Sequence, residues 1–180
     1  AAGLAVAATL PKMFIVSLFG YLAITLAYSF YLKSYVLIDV MVLAGLYTLR
    51  VISGAFAINL VPSFWLLAFS MCIFLSLALV KRCSELISLA KIDRLKASGR
   101  DYNADDLAYL TNMGTASDYM SVLVLALFIN SPEVAARYAH VEGLWLLCPL
   151  ALYWVSRLWL KTGRGEMEDD PIVFTLKDRG

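Results

Sequence analysis

Charged side chains are scarce in this 180-residue chain: Asp, Glu, Lys and Arg make up 16% of it, against roughly a quarter in an ordinary globular protein, while 61% is hydrophobic. That shortage excludes a soluble single domain, because a mean hydropathy of +0.75 leaves more apolar surface than a 19.9 kDa globule can bury. Cysteine is scarce too. Cys72 and Cys148 lie inside apolar runs and Cys83 sits beside Lys81 and Arg82, so the three make no disulfide framework and are read as reduced. Internal repeats and low-complexity tracts are lacking. There is also no basic segment leading into a short apolar stretch with a cleavage site, and no initiator Met, so the chain is expected to be a fragment that begins in mid-protein.

What is present in abundance is long apolar runs. A membrane span needs about 20 predominantly apolar residues. Residues 13–32 carry no charge until Lys33 follows, 36–59 is interrupted by Asp39 and Arg50, and 63–80 is unbroken, with Pro62 marking a turn between the last two. Residues 116–131 and 143–160 form two further spans, with Asp118 near the start of one and Arg157 near enough to the end of the other to snorkel. Ala1 to Leu10 reads as the tail of a partial span. The expected architecture is thus an all-α, polytopic transmembrane helical bundle in one domain, with five complete spans plus a remnant.

Charge placement orients these spans. Lys33, the six basic residues between Lys81 and Arg100, and Lys161, Arg164, Lys177 and Arg179 fall on one side, which makes eleven of fifteen. The positive-inside rule therefore puts the loop 81–115 and the tail 161–180 in the cytoplasm and predicts a multi-pass protein of the inner cell membrane. Topology accounts for the basic loop, and Glu85, Asp93, Asp101, Asp105 and Asp106 offset its charge, so nucleic acid is not an expected partner. From Cys83 to Leu95 apolar residues recur at helical spacing, which extends a helix beyond the membrane. Ser98 to Arg100 break it, and Asp105 or Asp106 is placed to cap a second short helix through Met113.

A charge at the centre of a span costs about 2.5–3.5 kcal/mol on insertion scales, so Asp39 and Arg50 need a reason to be there. Eleven residues leave them roughly 20° apart around the helix and about 16 Å apart along it, on a face that also carries Gly54. That face either lines a polar substrate cavity, the preferred reading, or bonds to neighbouring helices. At the basic end, Tyr28-Ser-Phe-Tyr-Leu-Lys33 reads by itself as an interface anchor, and Lys81-Arg82-Cys-Ser-Glu85 offers cations for phosphate with Glu85 placed to hold a metal or balance charge. Asp101 to Asp105 spells DxxxD in a polar loop, where capping or solvation is the commoner role. His140 and Glu142 are read as loop residues, and the Tyr and Trp of positions 138–159 as an interface belt.

Taken in order, Tyr28 to Lys33, Val-Leu-Ile-Asp39-Val, Leu49-Arg50-Val-Ile-Ser-Gly54 and Lys81-Arg82-x-x-Glu85 resemble the second half of the UbiA superfamily of intramembrane prenyltransferases. The closest branch is the decaprenyl-phosphate phosphoribosyltransferase-like one, and the tail from Gly163 to Arg179 is similar to a segment before the last helix of such proteins. The resemblance implies a bundle with a lateral opening for a polyprenyl chain and a polar pocket at the cytoplasmic side. It also implies Mg²⁺ held by Asp-rich motifs, a polyprenyl lipid substrate and a phosphorylated donor. Asp39, Arg50 and Tyr28 would then be catalytic, and Lys33, Lys81, Arg82 and Glu85 would bind substrate. The family's NDxxD motif is absent and is expected upstream of Ala1. Lys81, Arg82 and Glu85 stand where many members have a second Asp-rich motif, and the Tyr28 to Lys33 spacing is one longer than the usual YxxxK. The basic cluster favours phosphoribosyl transfer to a polyprenyl phosphate over prenyl transfer to an aromatic acceptor. A transporter would also need buried charges, and a bundle with no catalytic role is the remaining alternative.

Overall fold

The structure is a computed structural model that describes residues 11–91, 101–137 and 141–167. The remnant at Ala1 to Leu10, the loop residues 92–100, His140 and the tail beyond Met167 lie outside the described residues.

The protein is an all-α polytopic membrane bundle. Five helices are long and apolar enough to cross a membrane, at Lys12–Phe30, Ile38–Ala57, Phe64–Ala90, Leu107–Ile129 and Val141–Gly163. We label the α-helices α1 (Lys12–Phe30), α2 (Ile38–Ala57), α3 (Phe64–Lys91), α4 (Leu107–Ile129), the short α5 (Pro132–Arg137) and α6 (Leu147–Gly163). Three-residue 3₁₀ turns precede α2 (Leu32–Ser34) and α4 (Ala104–Asp106), and a longer one, Val141–Leu146, leads into α6.

The ends of these helices follow from local chemistry. Pro11 sits at the N-cap of α1, where a missing N–H does no harm. Asn59, with φ 55°, takes the left-handed conformation that Asn tolerates and closes α2. Pro62 keeps the chain extended, and Ser63 Oγ then accepts the Leu66 N–H at 3.2 Å to start α3. Pro149 is tolerated inside α6 because it lies in the first turn, whose N–H groups have no helical partner. Past Gly163, Gly165 has φ 67°, its N–H reaches Thr162 O and the Glu166 N–H reaches Lys161 O, the double bond of a Schellman ending.

At 28 residues α3 is about 42 Å long, more than the ~30 Å hydrocarbon layer, so it is long enough to extend past the bilayer; the part of the expected Cys83 to Leu95 helix beyond Lys91 lies outside the described residues. The expected break before residue 116 is not made. Leu107 to Ile129 is one helix, because Leu107, Leu110 and Met113 continue the surface that packs on the core beside Leu79 and Leu86. Asp106 stands at its N-cap without bonding the helix; its carboxylate accepts the Asn103 N–H at 2.9 Å, so Asp105 and Asp106 belong to a turn.

The helices pack in the order α1, α2, α3, α4, with α6 against both α3 and α4. Small and hydroxyl residues allow the close approach of α3 and α4: Ser117 Oγ donates to Cys72 O at 2.8 Å, and Cys83 Sγ lies 3.7 Å from Thr111 Oγ1. The chain reversals bring Lys33, Lys81, Tyr102 and Met167 to one end of the bundle, called the basic end below; Ser84 Oγ donates to Met167 O there.

Candidate functional site

The site starts from an unusual turn. Leu37 has φ 64° and ψ −36°, and the Ile38 N–H returns to Val36 O at 2.8 Å, so Leu37 is the centre of a γ-turn that a branched side chain rarely adopts. Such a conformation persists only where its surroundings hold it. Here Tyr102 does so: the Leu37 N–H donates to Tyr102 Oη at 2.8 Å, across 65 residues of sequence. The same hydroxyl donates to Asp39 Oδ1.

Asp39 lies in the first turn of α2, where the helix dipole favours a carboxylate, and it also accepts the Val40 N–H at 2.7 Å. Its Oδ2 is 2.9 Å from Arg82 Nε of α3, an ion pair without the alignment of a directed hydrogen bond. Arg82 Nη1 in turn donates to Glu85, one turn on, and its guanidinium lies 5.8 Å from the Tyr102 ring centre. Asp39, Arg82 and Tyr102 are fully buried, Glu85 is partly exposed, and Arg82 Nη2 has no hydrogen-bond partner among the described residues. Burial and the neighbouring Asp39 carboxylate push the Tyr102 phenol above its usual range and keep it a donor.

Three of the residues predicted from sequence, Asp39, Arg82 and Glu85, are therefore brought together, and the others stand apart. Lys81 is exposed while Arg82 is buried, since consecutive helical residues point about 100° apart; the expected Lys81, Arg82 and Glu85 phosphate cluster is split accordingly. Lys33 is exposed in its 3₁₀ turn and Tyr28 is half-buried on α1. Arg50 does not share a closed cavity with Asp39. Their common line on α2 is covered at Asp39 by Arg82 and Tyr102, but Arg50 is exposed, its Nε donating to Tyr21 Oη at 3.1 Å. Its guanidinium stands 5.2 Å from the ring centres of both Tyr21 and Tyr47. Gly54 receives no close neighbour, for a Cβ built there would meet nothing within 4 Å.

The donor set for Mg²⁺ that the resemblance implies is not matched by the described residues. No three His, Cys, Asp or Glu side chains converge among them. Asp39 and Glu85 both rest against the Arg82 guanidinium, a fixed cation that would repel a second one. Asp101 and Asp105 are exposed at the mouth.

A second polar cluster escaped the sequence reading. Asp118 is fully buried in α4, and Trp159 Nε1 of α6 donates to its Oδ2 at 2.6 Å and reaches Ser76 Oγ of α3 at 3.0 Å. Trp159 is thus a core residue and not part of an interface belt, whereas Trp145 and Tyr153 are exposed. Its ring occupies the space above Gly114, where an added Cβ would lie 2.2 Å from it. The signal was available, since Asp118 interrupts an apolar run as Asp39 does; a boundary set at residue 116 made it look terminal. Tyr102 gave no signal, because its partners are fixed only by folding.

No family model matches the chain. Over 181 residues it is 38% identical to an uncharacterized protein of Sinorhizobium fredii, y4nM, which takes in 99% of the chain and 35% of y4nM. Over 159 residues it is 31% identical to the nodulation protein NoeC of Azorhizobium caulinodans, 88% of the chain and 52% of NoeC. The chain spans about a third and about half the length of these two relatives.

Proposed function

We propose that the chain is part of an intramembrane transferase of the UbiA kind, which moves a phosphoribosyl group onto a polyprenyl phosphate at the cytoplasmic face of the inner membrane. The observation that supports this reading is the buried Asp39, Arg82, Glu85 and Tyr102 network at the basic end, beside the exposed Lys33 and Lys81. Buried ionisable groups at the mouth of membrane spans mark polar ligand sites, and two exposed lysines at the same end suit phosphorylated ligands. Arg82 is neutralised by its two carboxylates, so its part is to fix the ends of α2 and α3. Glu85, the partly exposed member, is the one able to accept a hydrogen bond from a sugar hydroxyl. Lys33 and Lys81 hold phosphate. One relative carries the name of a nodulation protein, and a part in nodulation for this chain is proposed on that name alone.

The test is transfer of label from radioactive phosphoribosyl diphosphate to polyprenyl phosphate by the native-length protein in membranes. Lys81→Ala should weaken donor binding by about 1.5–3 kcal/mol, roughly ten- to a hundredfold. Label on the lipid supports the reading. Label carried from a polyprenyl diphosphate to a phenolic acceptor instead would replace it with aromatic prenyl transfer.

A further inference from the structure

Arg50 presents a charge that no acidic side chain among the described residues matches. It is the thirteenth residue of the twenty in α2, so it stands about 18 Å from the end of the helix that carries Asp39, well inside a hydrocarbon layer of about 30 Å. Its neighbours Tyr21 and Tyr47 are neutral: they orient the guanidinium through hydrogen bonds and ring faces but leave its charge in place. The guanidinium is nonetheless exposed. Lipid tails are a poor cover for such a group.

Among the described residues no Asp or Glu pairs with Arg50. Among the described residues four acids lie within the spanning helices: Asp39 and Glu85 are engaged with Arg82, Asp118 with Trp159, and Glu142 stands at the very start of the last span, which packs against α3 and α4. The other described acids, Asp101, Asp105, Asp106, Glu133 and Glu166, fall outside the spanning helices. A second copy of the chain brings the same carboxylates, engaged or at a span end, and so does not answer the charge. Lipid phosphates lie at the interface, too far from this depth. The chain also covers only 35% and 52% of the relatives it matches, so proteins of this kind hold further segments able to reach the face.

We propose that the Tyr21, Tyr47 and Arg50 face of α1 and α2 is the docking surface for a membrane-spanning helix from outside these 180 residues, which carries an Asp or Glu near mid-bilayer and pairs it with Arg50. The two tyrosines hold the guanidinium in place before the partner arrives. This inference is independent of the transferase reading.

The experiment places a photocrosslinking benzoylphenylalanine at position 47 of the native-length protein in its own membranes and identifies the crosslinked peptide by mass spectrometry. The expected product is a spanning segment, outside residues 1–180, that contains an acidic residue. Arg50→Glu should then lower the crosslink yield at least tenfold, and reversing that acidic residue to Arg in the same protein should restore most of it. Crosslinks to lipid alone, to a second copy, or to a segment without an acidic residue overturn the proposal, as does failure of the double reversal to restore the yield. The wild-type crosslink decides the matter even if Arg50→Glu does not fold.

Discussion

Arg82 illustrates why a buried charge in a membrane bundle is tied down on several sides. Fully buried, it has Asp39 on one side and Glu85 on the other, and the pairing offsets a desolvation penalty that neither group could bear alone. Removing Arg82 leaves the buried Asp39 carboxylate without a cation, so Arg82→Leu alone should destabilise the protein by about 3–5 kcal/mol. The double replacement Asp39→Leu with Arg82→Met should recover most of that in detergent unfolding curves, because the one carboxylate that remains, Glu85, is partly exposed. Tyr102 supports both Asp39 and the Leu37 turn through one hydroxyl. Tyr102→Phe strands the Leu37 N–H and should cost about 1–3 kcal/mol. The pH dependence follows from the same contact. With the folded phenol raised above its unfolded value near 10, its contribution is complete below that value and is lost as pH rises further, because the unfolded chain releases the proton first. Unfolding midpoints measured from pH 8 to 11 should therefore fall more steeply above pH 10 in the wild type than in Tyr102→Phe.

At the scale of the helices, the join of α3, α4 and α6 rests on one pairing of small with large. Gly114 has no side chain and Trp159 fills the vacancy, close enough to reach Asp118 and Ser76 with its indole N–H. Without hydrophobic driving force between helices in lipid, such close packing and interhelical hydrogen bonds supply much of the association. Gly114→Ala puts a methyl group into the indole ring and Leu79 Cβ lies 3.1 Å away on the other side, so the helices must separate. The expected loss is about 1–3 kcal/mol, read from thermal aggregation in detergent. Combining it with Trp159→Phe should relieve the clash but not the loss of the bond to Asp118, leaving the double variant less stable than the wild type. A neutral outcome for Gly114→Ala would show that α6 is not seated on α4 as described.

For the whole molecule, the decisive property is which end faces the cytoplasm. Among the described residues Lys33, Lys81, Arg82, Lys91, Lys161 and Arg164 lie at the end that holds the Asp39 and Arg82 network, and retention of basic loops during insertion predicts that this end is inside. Single cysteines at exposed positions on the two ends, Asp105→Cys and Val61→Cys, in a background without the native thiols, test this with a membrane-impermeant maleimide on intact cells. Val61→Cys should label and Asp105→Cys should not until the membrane is opened. The reverse pattern would put the network on the outer face and remove the argument for a cytoplasmic phosphorylated donor.

Long apolar runs were enough to establish all five spans, because a helix of about twenty apolar residues in lipid satisfies its own backbone and needs no distant partner. Pro62 marked a turn between helices for the same local reason. Asp39 stood out as a charge in an apolar run, and so did Arg50. What no run of residues contains is the cover each one receives. Asp39 is closed over by Arg82 from the next helix and by Tyr102 from 63 residues away, while Arg50, on the same line of the same helix, is left open. The split between Lys81 and Arg82, the seat of Trp159 on Gly114 and the turn at Leu37 are likewise products of packing. Each depends on distances between segments far apart in the chain, and helical periodicity carries no information about those.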